Sequence, residues 1–364
     1  MIYLDYQATT PIAPEVRSAM LPYLDERFGN PHSPHRMGRE AAAAVEVARE
    51  QVAALCPPGG SLAFTGSATE AINWAIKGSG GRIVTLATEH AAVLDSARAV
   101  GRAGRDVQIL PVGSDGLIDL DAARGAIRPG TGLVAAMLVN NEIGVIQPIR
   151  GLADLAHEAG ALFLCDAVQG YGRLPIPDNV DLVAIAAHKI HGPKGIGALW
   201  VRGGVSIEPL LHGGGQEKPG RSGTLAPMLC AGFGAAAELM QERRDADVDH
   251  LDRLWHIATQ RLGPEWTING SFAHRYHGNL NLHCDGVDAT RLISNLRGLA
   301  FSAGSACASG SGRPSHVLKA IGLSDSEARS SIRLGFGRYT TEDDIEKAAG
   351  MILEAAERQL MWAV

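Results

Sequence analysis

Leu182-Val-Ala-Ile-Ala-Ala-His-Lys189-Ile-His-Gly-Pro-Lys-Gly195 decides how this chain folds. Its first six residues are an uncharged apolar run, too short for a helix, and they deliver His188 and Lys189 to a Gly/Pro turn. A strand apolar on both faces belongs inside a sheet covered on both sides. Similar runs lie on either side of it, at Leu62–Thr65, Ile83–Ala87, Val107–Val112, Leu133–Val139, Ala161–Cys165 and Ala198–Val201. Helical or looping segments separate most of them, so the expected fold is α/β, with a mostly parallel, doubly wound sheet. Arg39–Leu55 has the apolar spacing of an amphipathic helix.

The Gly-rich segment His212–Gly223 interrupts the rhythm, and a helix is expected over Ala226–Arg243. From about His250 a smaller α+β unit is expected. It holds a helix to Leu262, strands at Gly278–His283 and Ser331–Leu334, helices near Asp288–Leu296 and Ser315–Ile321, and a last helix from Thr341. The predicted division is residues 14–249 for the large domain, and 1–13 with 250–364 for the small one.

Ligands of a doubly wound sheet bind beyond the carboxyl ends of its strands, so the first polar residues after each run carry the functional information. Gly66-Ser-Ala-Thr-Glu70 opens a helix whose free N–H groups suit a phosphate, although from this segment alone a plain N-cap by Ser67 or Thr69 is the favoured reading. Thr88-Glu-His90 and Asn140-Asn-Glu142 follow two further runs, and Asp166 with Gln169 follows another. Asp166 alone could be a helix cap and Lys189 a solvated charge. Converging on one sheet edge, these stations describe a pocket for an anion, a cationic ring nitrogen and an amine nucleophile.

The 364 residues are 46% hydrophobic and 20% charged, with a net charge of −6, an ordinary globular composition. No basic footprint points to nucleic acid. No apolar run approaches the ~18 to 20 residues that span a bilayer, and Met1–Thr10 lacks a signal-peptide pattern. Neither nucleic acid nor membrane is expected as a partner, and a cytoplasmic location is expected. Cys56, Cys165, Cys230, Cys284 and Cys307 form no CxxC or CxxH pair, so free thiols are expected.

In their order along the chain these motifs resemble the pyridoxal phosphate (PLP)-dependent cysteine desulfurases, within the class V aminotransferase group of fold-type I enzymes. The resemblance runs from Tyr3-Leu-Asp-Tyr-Gln-Ala-Thr-Thr-Pro11 through Phe28-Gly-Asn-Pro31, Thr65-Gly-Ser-Ala-Thr-Glu70, Thr88-Glu-His90 and Asn140-Asn-Glu-Ile-Gly144. It continues through Asp166-Ala-Val-Gln169, Ala187-His-Lys189, Arg221-Ser-Gly-Thr224, Gly304-Ser-Ala-Cys307 and Ser331-Ile-Arg333. It implies that Lys189 carries PLP covalently and moves the substrate Cα proton, and that Asp166 faces the ring nitrogen. Gln169 would bond the phenolic oxygen, while His90 stacks on the ring and takes part in proton transfer. Ala68, Thr69 and His188 would hold the phosphate, with Thr224 joining from the other subunit of a homodimer. Asn141, also beside the cofactor, and Arg333 would bind the carboxylate of L-cysteine; a surface salt bridge is the competing reading of Arg333.

Cys307 lies in Ser302-Ala-Gly-Ser-Ala-Cys-Ala-Ser-Gly-Ser-Gly-Arg313, too small and flexible a stretch to bury a thiol. The resemblance makes it the nucleophile that receives sulfur as a persulfide, for iron–sulfur assembly or other sulfur transfer, and a transient iron–sulfur ligand. The loop's length resembles the subgroup serving general iron–sulfur assembly, so a scaffold or other acceptor protein is an expected partner. A selenocysteine lyase or a cysteine sulfinate desulfinase is the alternative. An α/β-hydrolase esterase, suggested by His212-Gly-Gly-Gly215 and Ser302, fails because no histidine follows His316 and the order Ser, Asp, His cannot be completed. Three positions depart from expectation. Ala186 stands where a phosphate-binding Ser is common, and Gln7 and Trp74 stand where smaller polar residues are expected.

Overall fold

The computed structural model describes residues 1–218, 220–303 and 314–361. After a short strand β1 (Ile2–Tyr3) and the helices α1 (Pro14–Met20) and α2 (Arg36–Ala53), seven strands build the large sheet. They are β2 (Gly60–Thr65), β3 (Arg82–Leu86), β4 (Val107–Leu110), β5 (Thr131–Met137), β6 (Leu162–Asp166), β7 (Leu182–Ala186) and β8 (Gly197–Arg202). The helices α3 (Ala68–Gly78), α4 (Ala91–Arg102), α5 (Leu120–Ala126) and α6 (Ile149–Glu158) connect successive strands.

The strand order is β2-β8-β7-β6-β5-β3-β4, and only β8 runs antiparallel to its neighbours. Each of the seven apolar runs thus forms a strand, in the mostly parallel sheet expected. Both faces are covered. Ala71, Ile72, Trp74, Ala75 and Ile76 of α3 pack with Val93 and Ala97 of α4 against one face. On the other, residues of α2, α6 and the long helix α7 (Pro227–Leu262) join the main core. Trp74, unexplained by sequence, is fully buried there and donates its indole N–H to the Glu208 carbonyl at 3.0 Å.

The smaller unit contains β9 (Thr267–Ile268), β10 (Asn279–His283), α8 (Ala289–Asn295), β11 (Leu299–Ala300) and β12 (Ser302–Ala303). It ends with α9 (His316–Ala320), α10 (Asp325–Arg329), β13 (Ser331–Gly335) and α11 (Glu342–Met361). Its antiparallel sheet has the order β12-β13-β10-β9, while β1 pairs in parallel with β11. The helix expected to stop near Arg243 instead runs unbroken to Leu262, so position 249/250 falls inside α7. Arg243–His250 contains neither Gly nor Pro, and α7 packs along α1, α2 and α11. Among the described residues no helix is long and apolar enough to cross a membrane. Cys56, Cys165, Cys230 and Cys284 are free thiols; the last three are buried.

Candidate active site

The strand polarity brings the ends of β5, β6 and β7 and the start of α3 to one cavity of about 310 Å³. Ala68, Thr69, His90, Asn141, Asp166, Gln169, His188, Lys189 and Arg333 all line it. Thr224 does not: it is exposed and borders a separate groove beside Arg221. Cys307 lies outside the described residues. Sequence reasoning did not assign the cavity walls supplied by Gln7, Ala8, Ile72 and Met137. From the sequence, Gln7 stands out only as unusual for its position.

Lys189 follows β7 in a single 3₁₀ turn, Ala187–Lys189. The backbone then passes through His191 at φ 66°, a left-handed conformation held by the Thr10 hydroxyl, which accepts from the His191 N–H at 2.8 Å. Thr10 also donates its N–H and its hydroxyl to the His188 carbonyl, so the N-terminal segment is laced along the lysine turn. The Lys189 ammonium donates to the carbonyls of Gln7 and, at 2.9 Å, Ala8. Burial first, then the Arg333 and Arg173 charges, bring its pKa down to about 8. An amine with its pKa lowered toward neutrality, at the mouth of a buried strand, offers a larger free-base fraction than a solvated lysine and can act as nucleophile and base.

Asp166, the last residue of β6, is 5% exposed and accepts from the Val168 N–H at 3.0 Å. Burial raises its pKa, against the opposing pull of His90, that N–H and Lys189. Behind it the fully buried Glu89 accepts from the Met137 N–H at 2.9 Å, and burial together with the Asp166 charge pushes its carboxyl well up. Asp166 is therefore a carboxylate short of positive charge, the environment that a cationic ring nitrogen would complete. His90 caps α4 by accepting from the Ala92 N–H at Nδ1, which puts the proton of the neutral ring on Nε2. Burial lowers its pKa, against the opposing pull of Asp166.

At the other end of the cavity the Ser67 hydroxyl accepts from the Glu70 N–H at 3.2 Å, so Ser67 is the cap of α3 and Thr69 is not. The strand-to-helix turn lies hard against β8: a Cβ on Gly197 would come within 2.5 Å of the Ser67 carbonyl carbon and 2.6 Å of the Ala68 nitrogen. His188, its pKa brought down to about 4 chiefly by burial, shares a hydrogen bond of 3.2 Å between Nδ1 and the Thr9 hydroxyl. A helix N-terminus, Thr69 and a histidine at one end form a phosphate-compatible cradle. Ala186, buried in its wall, contributes no hydroxyl.

The twin asparagines divide their work. The Asn140 side chain builds the turn, accepting from the N–H groups of Glu142 and Ile143 and donating to the Thr88 carbonyl. Asn141 instead lines the cavity, and its buried side-chain oxygen has no hydrogen-bond partner among the described residues. Arg333 is 1% exposed and is not a surface ion pair. Its Nη1 donates to the Asn141 carbonyl at 3.0 Å, and its Nη2 donates to Asp5 at 2.7 Å and to the Ser302 hydroxyl at 3.3 Å. Its Nε is buried and has no hydrogen-bond partner among the described residues. Gln169 donates to the Gln7 carbonyl at 2.9 Å, and Gln7 spans to the smaller unit by donating to the Gly278 carbonyl at 2.7 Å.

A doubly wound sheet with an amine, a carboxylate, a ring-bearing neighbour and an anion cradle at one edge defines an enzyme of the amine-nucleophile, phosphate-bearing-cofactor kind. The chain belongs to the aminotransferase class-V family, whose model matches residues 2–348. It is similar to cysteine desulfurase IscS of Rickettsia typhi, 44% identical over 375 aligned residues that cover 98% of this chain and 91% of the relative. Among solved structures it is similar to a NifS-like protein from Rickettsia africae, with a TM-score of 0.90, 30% identity, and coverage of 98% and 99% of the two chains. It is also similar to SspA in complex with cysteine, with a TM-score of 0.83 and 33% identity, covering 94% of this chain and all of that one.

Proposed function

We propose that this protein is a PLP-dependent cysteine desulfurase that takes sulfur from L-cysteine, releases L-alanine, and carries the sulfur on Cys307 for iron–sulfur assembly or other sulfur transfer. The observation that carries the reading is the meeting of a half-buried Lys189, pKa about 8, with a buried Asp166 in one cavity of a chain 44% identical to a cysteine desulfurase.

The residues present fit PLP. Lys189 would hold it covalently, Asp166 would face its ring nitrogen, Gln169 its phenolic oxygen and His90 its ring, with Asn141 alongside. Ala68, Thr69 and His188 would hold its phosphate. When bound, PLP supplies an electron sink for charge developing at the substrate Cα. Lys189, whose uncharged fraction rises as pH approaches 8, takes the Cα proton, and His90 serves as a second proton carrier through Nε2. Arg333 and Asn141 orient the substrate carboxylate.

The Cys307 thiolate then forms a bond to the substrate sulfur while the substrate's Cβ–S bond breaks, leaving its electron pair with the three-carbon fragment, which is protonated and departs as L-alanine. One thiol and one cysteine become one persulfide and one alanine, with no external oxidant or reductant. Among the described residues no group of His, Cys, Asp and Glu could hold a metal ion. The proposed transient iron–sulfur ligand, Cys307, lies outside them.

The proposed assembly is a homodimer that works in the cytoplasm, with the division 14–249 and 1–13 plus 250–364 kept as the proposed domains. Support for a partner copy comes from Thr224, which stands outside its own chain's cavity, and from Leu21, Leu24, Phe28 and Val47, exposed in or beside the N-terminal helices.

The test is Cys307→Ala in the PLP-loaded protein. Visible absorbance should survive and shift on addition of L-cysteine, while alanine and sulfide formation collapse. Unchanged turnover would sink the role of Cys307; no absorbance in the parent protein would sink the cofactor.

A further inference from the structure

Arg333, the proposed anchor of the substrate carboxylate, is already paired with a carboxylate of the protein. Asp5 lies in the N-terminal segment, bridged to Gly335 two residues beyond Arg333, and its Oδ1 accepts from Arg333 Nη2 at 2.7 Å. The same oxygen accepts from the Ser302 hydroxyl at 2.9 Å, and that hydroxyl accepts from Arg333 Nη2 at 3.3 Å. Ser302 and Arg333 are cross-strand partners of β12 and β13, so the triangle is fixed by the sheet and by the Asp5 bridge together.

Among the described residues the charges around the guanidinium are few: Asp5 is in contact, Glu142 and Lys189 act on it at longer range, and the other direct contacts, Ser302 and the Asn141 carbonyl, are neutral. The Arg333 side chain is 1% exposed and that of Asp5 20%. Water screens such a pair weakly, so a ligand carboxylate approaching Arg333 meets a cation whose field is largely offset before it arrives. Asp5 also repels that carboxylate directly.

We infer that Asp5 is a positioning residue that orients the Arg333 guanidinium and, as a resident competing carboxylate, weakens its hold on amino-acid carboxylates so that product can leave. The inference rests on the proposed role of Arg333. A desulfurase substrate and its product share the same carboxylate and amine and differ by one sulfur. A guanidinium strong enough to hold cysteine tightly would hold alanine almost equally, and binding both alike gains nothing in turnover. Partial neutralisation of Arg333 lowers the affinity for both.

The competing explanation is that Asp5 merely keeps Arg333 in place, and the two differ in sign. Asp5→Asn keeps an oxygen acceptor for Arg333 and Ser302 and removes the charge. In the PLP-loaded protein, titration with L-alanine followed by visible absorbance should give a dissociation constant roughly fivefold or more lower than in the parent, from removal of a weakly screened competing charge. Arg333→Gln should weaken alanine binding by more than about tenfold, as expected for loss of a charge-assisted contact. Should Asp5→Asn fail to fold, Asp5→Ser removes the same charge and carries the same test. Alanine binding that is unchanged or weaker without the Asp5 charge, beside weakened binding in Arg333→Gln, overturns the inference and leaves the Arg333 assignment standing. Undiminished binding in Arg333→Gln overturns that assignment and the inference with it.

Discussion

Replacement of Glu142 by Gln should make the protein progressively more stable than its parent as pH rises from 5 to 8. Glu142 is 4% exposed; its Oε2 accepts from the Ser315 hydroxyl, and burial raises its pKa from 4.5 to about 7 against the opposing pull of that hydroxyl and Arg333. A carboxyl whose folded pKa lies above its unfolded value binds more protons when folded, so its contribution is present below pH 4.5 and is lost as pH rises through 7. With those two values, the ionisable side chain costs the parent roughly 1 kcal/mol at pH 5 and roughly 3 kcal/mol at pH 8 relative to a neutral isostere, so the difference opens by a few kcal/mol. Gln keeps an oxygen to accept from Ser315, so the comparison isolates ionisation.

The assay is urea unfolding of parent and Glu142→Gln, both PLP-loaded, at pH 5, 6, 7 and 8. Other titrating groups and the cofactor act alike on both and cancel in the difference. The stability difference should open with pH in favour of the variant. Parallel curves, or a variant that loses ground at alkaline pH, would refute the reasoning that desolvation dominates at this carboxyl.

Incorporation of PLP into the apoprotein should accelerate about tenfold per pH unit below pH 8 and level off above it, because the Lys189 amine, lowered to about 8 chiefly by burial, condenses only when unprotonated. An increase continuing steadily past pH 9, read by the growth of visible absorbance, would show an ordinary solvated lysine. Asp166→Asn should reduce kcat for alanine formation by about 10² to 10³-fold while leaving Lys189 able to take up PLP, since an amide cannot hold positive charge on the ring nitrogen. A loss under about fivefold in a steady-state assay would remove Asp166 from that role.

The strand-end stations were legible because two periodicities agree. Uncharged runs of five to seven residues are interior strands, and parallel strands point their polar followers to one edge, so Asp166, Lys189, Asn141 and His90 gather there without any contact being known. Other features were not legible. Asp5 and Arg333 are 328 residues apart, and nothing local to Leu4-Asp-Tyr6 signals a partner on β13. Asn140 and Asn141 are indistinguishable as types, and only the turn reveals that the first builds structure while the second faces the cavity. The unbroken α7 was readable in retrospect: Arg243–His250 is polar but contains no helix breaker, and polarity there reflects an exposed stretch of helix rather than a boundary.

The N-terminal segment explains why Lys189 has the pKa that it has. A carboxylate directly on Nζ would hold the ammonium charged, since Coulomb attraction at contact outweighs desolvation at a partly buried site. Here the contacts on Nζ are the carbonyls of Gln7 and Ala8, which satisfy its hydrogen-bond donors without a full negative charge. Asp5 and Asp166 do raise its pKa, but burial and the two guanidinium groups of Arg333 and Arg173 outweigh them. Gln7 is fixed in turn by Gln169 from the large sheet and by the Gly278 carbonyl of the smaller unit. The reactivity of the lysine is therefore set by where the two units pin one short N-terminal turn, and a residue such as Gln7 that looks anomalous in the sequence is the link between them.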